Sequence, residues 1–86
     1  MKNKKQPDLN IIKEPMWYAV HQIEPITFIM KNDLPFHVGN IVKYATRAGL
    51  KIYPNSTAIE SEILDLKKVM RYAEMRINQL EGKDIL

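Results

Sequence analysis

Apolar residues recur along the middle of the chain in steps of three and four. Val38, Ile41, Val42, Ala45 and Ala48 fall on one half of a helix turning about 100° per residue. Asn40, Lys43, Tyr44 and Arg47 fall on the other half. Leu34-Pro35 opens this helix and Gly49 closes it, since proline suits a first turn and glycine the residue past a last one. A shorter helix precedes it. In "IEPITFIMKND", Glu24 and Pro25 suit a first turn, and Ile26, Ile29 and Met30 follow at helical spacing up to Asn32 or Asp33.

The longest element begins at Thr57, whose pairing with Glu60 three residues on is a capping box, and runs to Glu81 before Gly82. Along it Ile59, Ile63, Leu66, Met70, Ala73, Ile77 and Leu80 alternate steps of four and three, the spacing of helix-on-helix packing. Val69 and Tyr72 widen this stripe on the wheel. Two short helices cover only part of an element roughly 35 Å long by its rise per residue. The uncovered part is expected to join subunits, so the chain is expected to be a homo-oligomer.

Pro54 and Asn55 make "LKIYPNS" a loop between the second and third helices. Before the first helix, "IIKEPMWYAV" mixes β-branched and aromatic residues around Pro15, which suits an extended arm. The start, "MKNKKQPDLN", reads as a polar tail. The expected organisation is therefore a flexible basic tail over residues 1–14 and one helical domain over 15–86. The fold class is all-α: an extended arm, two short helices and one long C-terminal helix.

Composition narrows the chemistry. The 86 residues are 45% hydrophobic and 27% charged, a globular balance for one small domain. Cysteine is absent and only His21 and His37 offer imidazole, so thiolate sites are excluded and a zinc site is not expected. No run approaches the roughly 20 apolar residues of a membrane span, and a cytoplasmic protein is expected. The net charge is +3 and the pI near 9.2, but Lys2, Lys4 and Lys5 carry as much charge as the excess. General nucleic-acid affinity is therefore not expected, whereas a local anion site remains open.

Two stretches carry candidate chemistry. On the second helix, Lys43 and Arg47 lie a turn apart and suit a phosphate, Tyr44 suits stacking, Asn40 offers both donor and acceptor, and Gly39 permits close approach to the backbone. The same face also reads as ordinary solvated surface with a packing glycine. On the third helix, Asp65, Lys68 and Tyr72 share a side, and Glu62 and Asp65 sit a turn apart. A carboxylate pair there suits magnesium, or Asp65 orients a lysine; from spacing alone, ordinary surface salt-bridging is the favoured reading.

Together, "IEPITFI", "GNIVKYATRAGLK" and "DLKKVMRY" resemble, in order and spacing, the phage-encoded SaV-like family of small proteins. The same pattern is similar to the carboxy-terminal part of an atypical podovirus nucleotide kinase that works without a Walker loop. The resemblance spans roughly residues 17 to 80. It departs at Trp17-Tyr18, where histidine–tyrosine is usual, and the kinase's long amino-terminal part has no counterpart.

The resemblance implies a nucleotide-binding protein in the cytoplasm of an infected bacterium, with nucleoside or deoxynucleoside monophosphate kinase activity as its extension. Lys43, Arg47, Asp65 and Lys68 would be its catalytic residues, and Gly39, Asn40, Tyr44, Lys51 and Tyr72 would bind ligand, with no protein metal site. A kinase would require ATP and Mg2+. The other class of function is a non-enzymatic phage protein that sequesters a nucleotide signal or blocks a host protein. On the nucleotide reading, Arg47→Ala is expected to weaken binding more than folding.

Overall fold

The computed structural model describes residues 20–84, and all regular structure there is helical. The tail and the Trp17-Tyr18 arm lie outside the described residues. Helix α1 is Pro25–Lys31, α2 is Phe36–Arg47 and α3 is Ala58–Leu80.

Each boundary has a local cause. Pro25 occupies the first turn of α1, where its missing N–H costs nothing. The helix ends where the Asn32 side chain donates to the Phe28 carbonyl at 2.8 Å and Asp33 turns to a positive φ of 51°. Helix α2 stops as Gly49 adopts a φ of 89°, a conformation that glycine takes without a Cβ penalty. The capping box of α3 is complete: Thr57 Oγ1 accepts from the Glu60 N–H at 3.0 Å, and Glu60 Oε1 accepts from the Thr57 N–H at 2.8 Å.

Packing runs mainly between α2 and α3, with α1 laid on α2 at Gly39. A Cβ built on Gly39 would lie 3.0 Å from Ile29 Cγ2, so the missing side chain is what lets the two helices approach. Gly39 is thus a packing glycine. The expected opening toward a ligand is not found there.

The α2–α3 layer is unusual in what it buries. Among the described residues no Ala, Val, Ile, Leu, Met, Phe or Tyr side chain is fully buried; the buried positions are Pro25, Gly39, Arg47, Ser61 and Asp65. The polar face of α2 is therefore only partly solvated: Arg47 is buried, and Asn40, Lys43 and Tyr44 are half-buried. It points at α3, and Ser61, Asp65, Lys68 and Tyr72 of α3 point back.

The apolar stripe of α3 faces away. Ile59 and Met70 are 71% and 70% exposed, and Ile63, Leu66, Ile77 and Leu80 are exposed with them. Tyr72 does not widen this stripe, as the wheel suggested, but stacks on Tyr44 of α2. At about 100° per residue the two faces of α3 are centred roughly 150° apart.

If Gly39 serves packing, Gly39→Val should destabilise the fold by about 1–3 kcal/mol through overpacking. Ile29→Ala in the same chain should recover part of that loss. Urea unfolding followed by circular dichroism measures both. A Gly39→Val protein as stable as wild type would remove Gly39 from the α1–α2 contact.

Candidate functional site

The site grows from one ion pair. Arg47, in the last turn of α2, is 8% exposed, and Asp65, on α3, is completely buried. Arg47 donates from one terminal guanidinium nitrogen to Asp65 Oδ1 at 3.2 Å. Such a pair is costly to desolvate and persists only with further hydrogen bonds. Tyr53 supplies them. Its hydroxyl donates to the same Asp65 oxygen at 2.5 Å and accepts from Arg47 at 2.6 Å and from Lys68 Nζ at 2.9 Å.

Tyr53 reaches this position because the loop after α2 doubles back. Asn55 turns with a φ of 61° after Pro54, and the Tyr53 N–H donates to the buried Ser61 hydroxyl at 2.9 Å. Ser61 and Asp65 are one turn apart on α3, so one helix face holds both the backbone and the phenol of Tyr53.

Around this centre stand rings and cations. Tyr44 and Tyr72 stack with centroids 5.8 Å apart and planes 11° from parallel. The Tyr44 ring has Arg47 at 4.6 Å, Lys68 at 4.9 Å and Lys43 at 5.2 Å from its centroid. The Tyr53 ring has Lys68 at 4.6 Å, Lys51 at 4.8 Å and Arg47 at 5.7 Å. These separations are within the reach of cation–π attraction. The resulting group gathers the positive charges of Lys43, Arg47, Lys51 and Lys68 around the buried carboxylate of Asp65.

The charges act on one another. Burial disfavours the Arg47 cation more than any other single effect, but the hydrogen bond and charge of Asp65, helped by Tyr53 and Tyr44, outweigh it and raise its pKa. Lys51 moves the other way. Partial burial, then the positive charges of Arg47 and Lys68, hold its ammonium below the ordinary lysine value, with Asp65 opposing them. Two buried atoms at the centre, Arg47 Nε and Asp65 Oδ2, have no hydrogen-bond partner among the described residues.

The structure thus joins Lys43, Tyr44, Arg47, Lys51, Asp65, Lys68 and Tyr72. Gly39 belongs to the α1 contact, and the Asn40 amide donates to the Phe36 carbonyl of its own helix at 3.0 Å. Asp65 reaches Lys68 through the Tyr53 hydroxyl, which is the residue that sequence patterning missed. Glu62 lies beside Gly49, with its carboxyl carbon 3.6 Å from where a Cβ would stand, rather than completing a carboxylate pair. Among the described residues no three His, Asp or Glu are grouped to hold a metal, and no helix is long and apolar enough to cross a membrane.

The fold and site define a small all-helical domain built on a buried arginine–aspartate pair ringed by lysines and tyrosines. The chain belongs to the DUF3310 family, a family of unknown function, whose pattern matches residues 12–74 and so spans the whole cluster. No curated protein and no solved structure matches the chain.

Removing one partner of a buried pair strands the other charge, so Asp65→Asn should cost about 3–5 kcal/mol of stability. Tyr53→Phe removes only the bridging hydroxyl and should cost about 1.5–3 kcal/mol, as expected for a hydrogen bond to charged groups. Denaturant unfolding of both variants measures the difference. Wild-type stability in Tyr53→Phe would show that the hydroxyl does not hold the pair.

Proposed function

We propose that the chain is a phage nucleotide-binding protein and that the α2–α3 cluster receives the phosphate. The observation that carries this reading is the convergence of positive charge: Lys43, Arg47, Lys51 and Lys68 gather over the Tyr44 and Tyr53 rings around the buried Asp65. Like charges crowded over aromatic faces cost free energy, and an anion relieves that cost. Arg47 Nε, buried without a partner, adds a donor suited to an oxyanion. The stacked Tyr44 and Tyr72 offer aromatic surface for a base, and the SaV-like resemblance supports a nucleotide over a simple anion.

Binding and transfer make different demands. Phosphoryl transfer rests on positioning and charge neutralisation, which this cluster supplies through Lys43, Lys51 and Lys68. Asp65 is already committed to Arg47 and Tyr53 and serves as the anchor of the cations. The like charge of Lys43, Arg47, Lys51 and Lys68 repels a metal ion held by protein groups alone. In a kinase reaction Mg2+ would therefore arrive on the triphosphate of ATP.

Burial of Arg47 decides how the site is tested. Arg47→Ala would leave Asp65 without its counter-charge, so it perturbs folding and binding together and separates nothing. Lys51→Met and Lys68→Met are better probes, because neither removes the buried pair. Each should lower nucleotide affinity about tenfold or more, the equivalent of at least about 1.4 kcal/mol. Titration calorimetry with deoxynucleoside monophosphates and ATP measures this, and coupled turnover of the two ligands reports transfer. Unchanged affinity in both variants would remove the cluster from binding. No affinity of the wild type at millimolar ligand would favour the reading in which the protein blocks a host partner.

Lys51 adds a pH signature. Its folded pKa lies below the unfolded value, so it contributes stability above its ordinary pKa of 10.5 and loses it as pH falls through the lower folded value. A bound phosphate raises that folded value. As pH approaches the ordinary lysine value of 10.5 from below, binding should therefore take up protons, seen as an apparent enthalpy that varies with buffer ionisation heat. Lys51→Met should abolish the uptake. Binding without proton uptake in the wild type would place the anion away from Lys51.

A further inference from the structure

The outward face of α3 takes no part in the cation cluster. Ile59, Ile63, Leu66, Met70, Ile77 and Leu80 are 46–71% exposed along one side of a 23-residue helix. A solvated helix face is normally polar, and an apolar row of this length marks a contact surface. Its alternation of four- and three-residue steps fits another helix, not a flat or extended partner.

We propose that the occupant is α3 of a second copy, running antiparallel about a two-fold axis between Arg71 and Tyr72. In that register Leu66 meets Ile77 of the partner subunit, Ile63 meets the partner's Leu80, and Met70 meets the partner's Ala73. The last pairing sets the flexible methionine against the small residue of the row, which fills the layer without a cavity. A parallel, in-register pair would instead oppose the two Ala73 side chains and leave a void.

The charges beside the row give the same answer. Lys67 and Glu74 flank it on the same edge, and the antiparallel register places each Lys67 next to the partner's Glu74, twice in the dimer. Between them, Lys67, Met70, Arg71 and Glu74 line a shallow groove of about 510 Å³ centred near the axis. Within one chain Glu74 accepts from Arg71 at 2.8 Å, and both side chains are largely exposed, so Glu74 also remains open to a lysine from across the axis.

Because the pairing face of α3 is turned roughly 150° from the cluster face, the dimer leaves both cation clusters open. The proposal therefore stands independently of the nucleotide reading.

A charge-reversal cycle on the full chain tests it, with dissociation constants from sedimentation or light scattering. Wild type should be dimeric at micromolar concentration. Lys67→Glu and Glu74→Lys should each weaken association about tenfold or more, since each creates two like-charge contacts. The double variant Lys67→Glu/Glu74→Lys should restore it. These positions are exposed, and unchanged circular dichroism confirms folding.

Orientation has a separate readout, because the chain has no cysteine. A mixture of Leu66→Cys and Ile77→Cys proteins, oxidised mildly, should yield mainly the 66–77 heterodisulfide. A monomeric wild type would overturn the proposal and leave the row for another segment or protein. Failure of the double variant to restore association, or a dominant 66–66 disulfide, would overturn the antiparallel register.

Discussion

The fold depends on the contact between Arg47 and Asp65. Neither charge survives burial alone, and each is made tolerable by the other and by the Tyr53 hydroxyl between them. Because Arg47 closes α2, Tyr53 sits in the following loop and Asp65 lies on α3, one hydrogen-bonded centre joins three successive pieces of chain. Ser61 fixes the loop backbone that carries Tyr53, so even the connection is held by the same helix face.

That centre turns the usual arrangement of a helical domain inside out. The face of α3 that packs within the chain is polar, and the face that points outward is apolar. A small domain gains little from a core in which no aliphatic side chain is fully buried, as among the residues described here. The largest apolar row on α3, from Ile59 to Leu80, lies instead on its exposed side. A polar packing face inside and an exposed apolar row outside are thus two sides of one helix.

Much of the fold was legible in the sequence because its signals are local. Pro25, Asn32, Gly49, the Thr57–Glu60 box and Gly82 set boundaries through their own backbone chemistry, and the structure keeps them. The site was legible in part. Lys43, Tyr44, Arg47, Asp65, Lys68 and Tyr72 stood out by helical spacing, but spacing cannot tell a polar face turned to solvent from one turned to another helix. Tyr53 left no periodic trace, since its place depends on a loop folding back. The one available signal was an aromatic residue two places after Lys51 and directly ahead of Pro54-Asn55. Gly39 stayed open between two readings, because a glycine that admits a ligand and one that admits Ile29 look alike in sequence.

The central claim is that the cations gathered around Arg47 and Asp65 await an anion and are not merely a tie between helices. The unpartnered Arg47 Nε gives it a direct reporter. Titrating inorganic phosphate and then a deoxynucleoside monophosphate into isotope-labelled protein, while following the Arg47 Nε–H and the lysine Nζ signals by NMR, tests it. The account predicts saturable shifts confined to Arg47, Lys43, Lys51 and Lys68, tighter for the nucleotide than for phosphate. Signals that stay fixed up to millimolar ligand, or that drift together without saturation across all surface lysines, would contradict it.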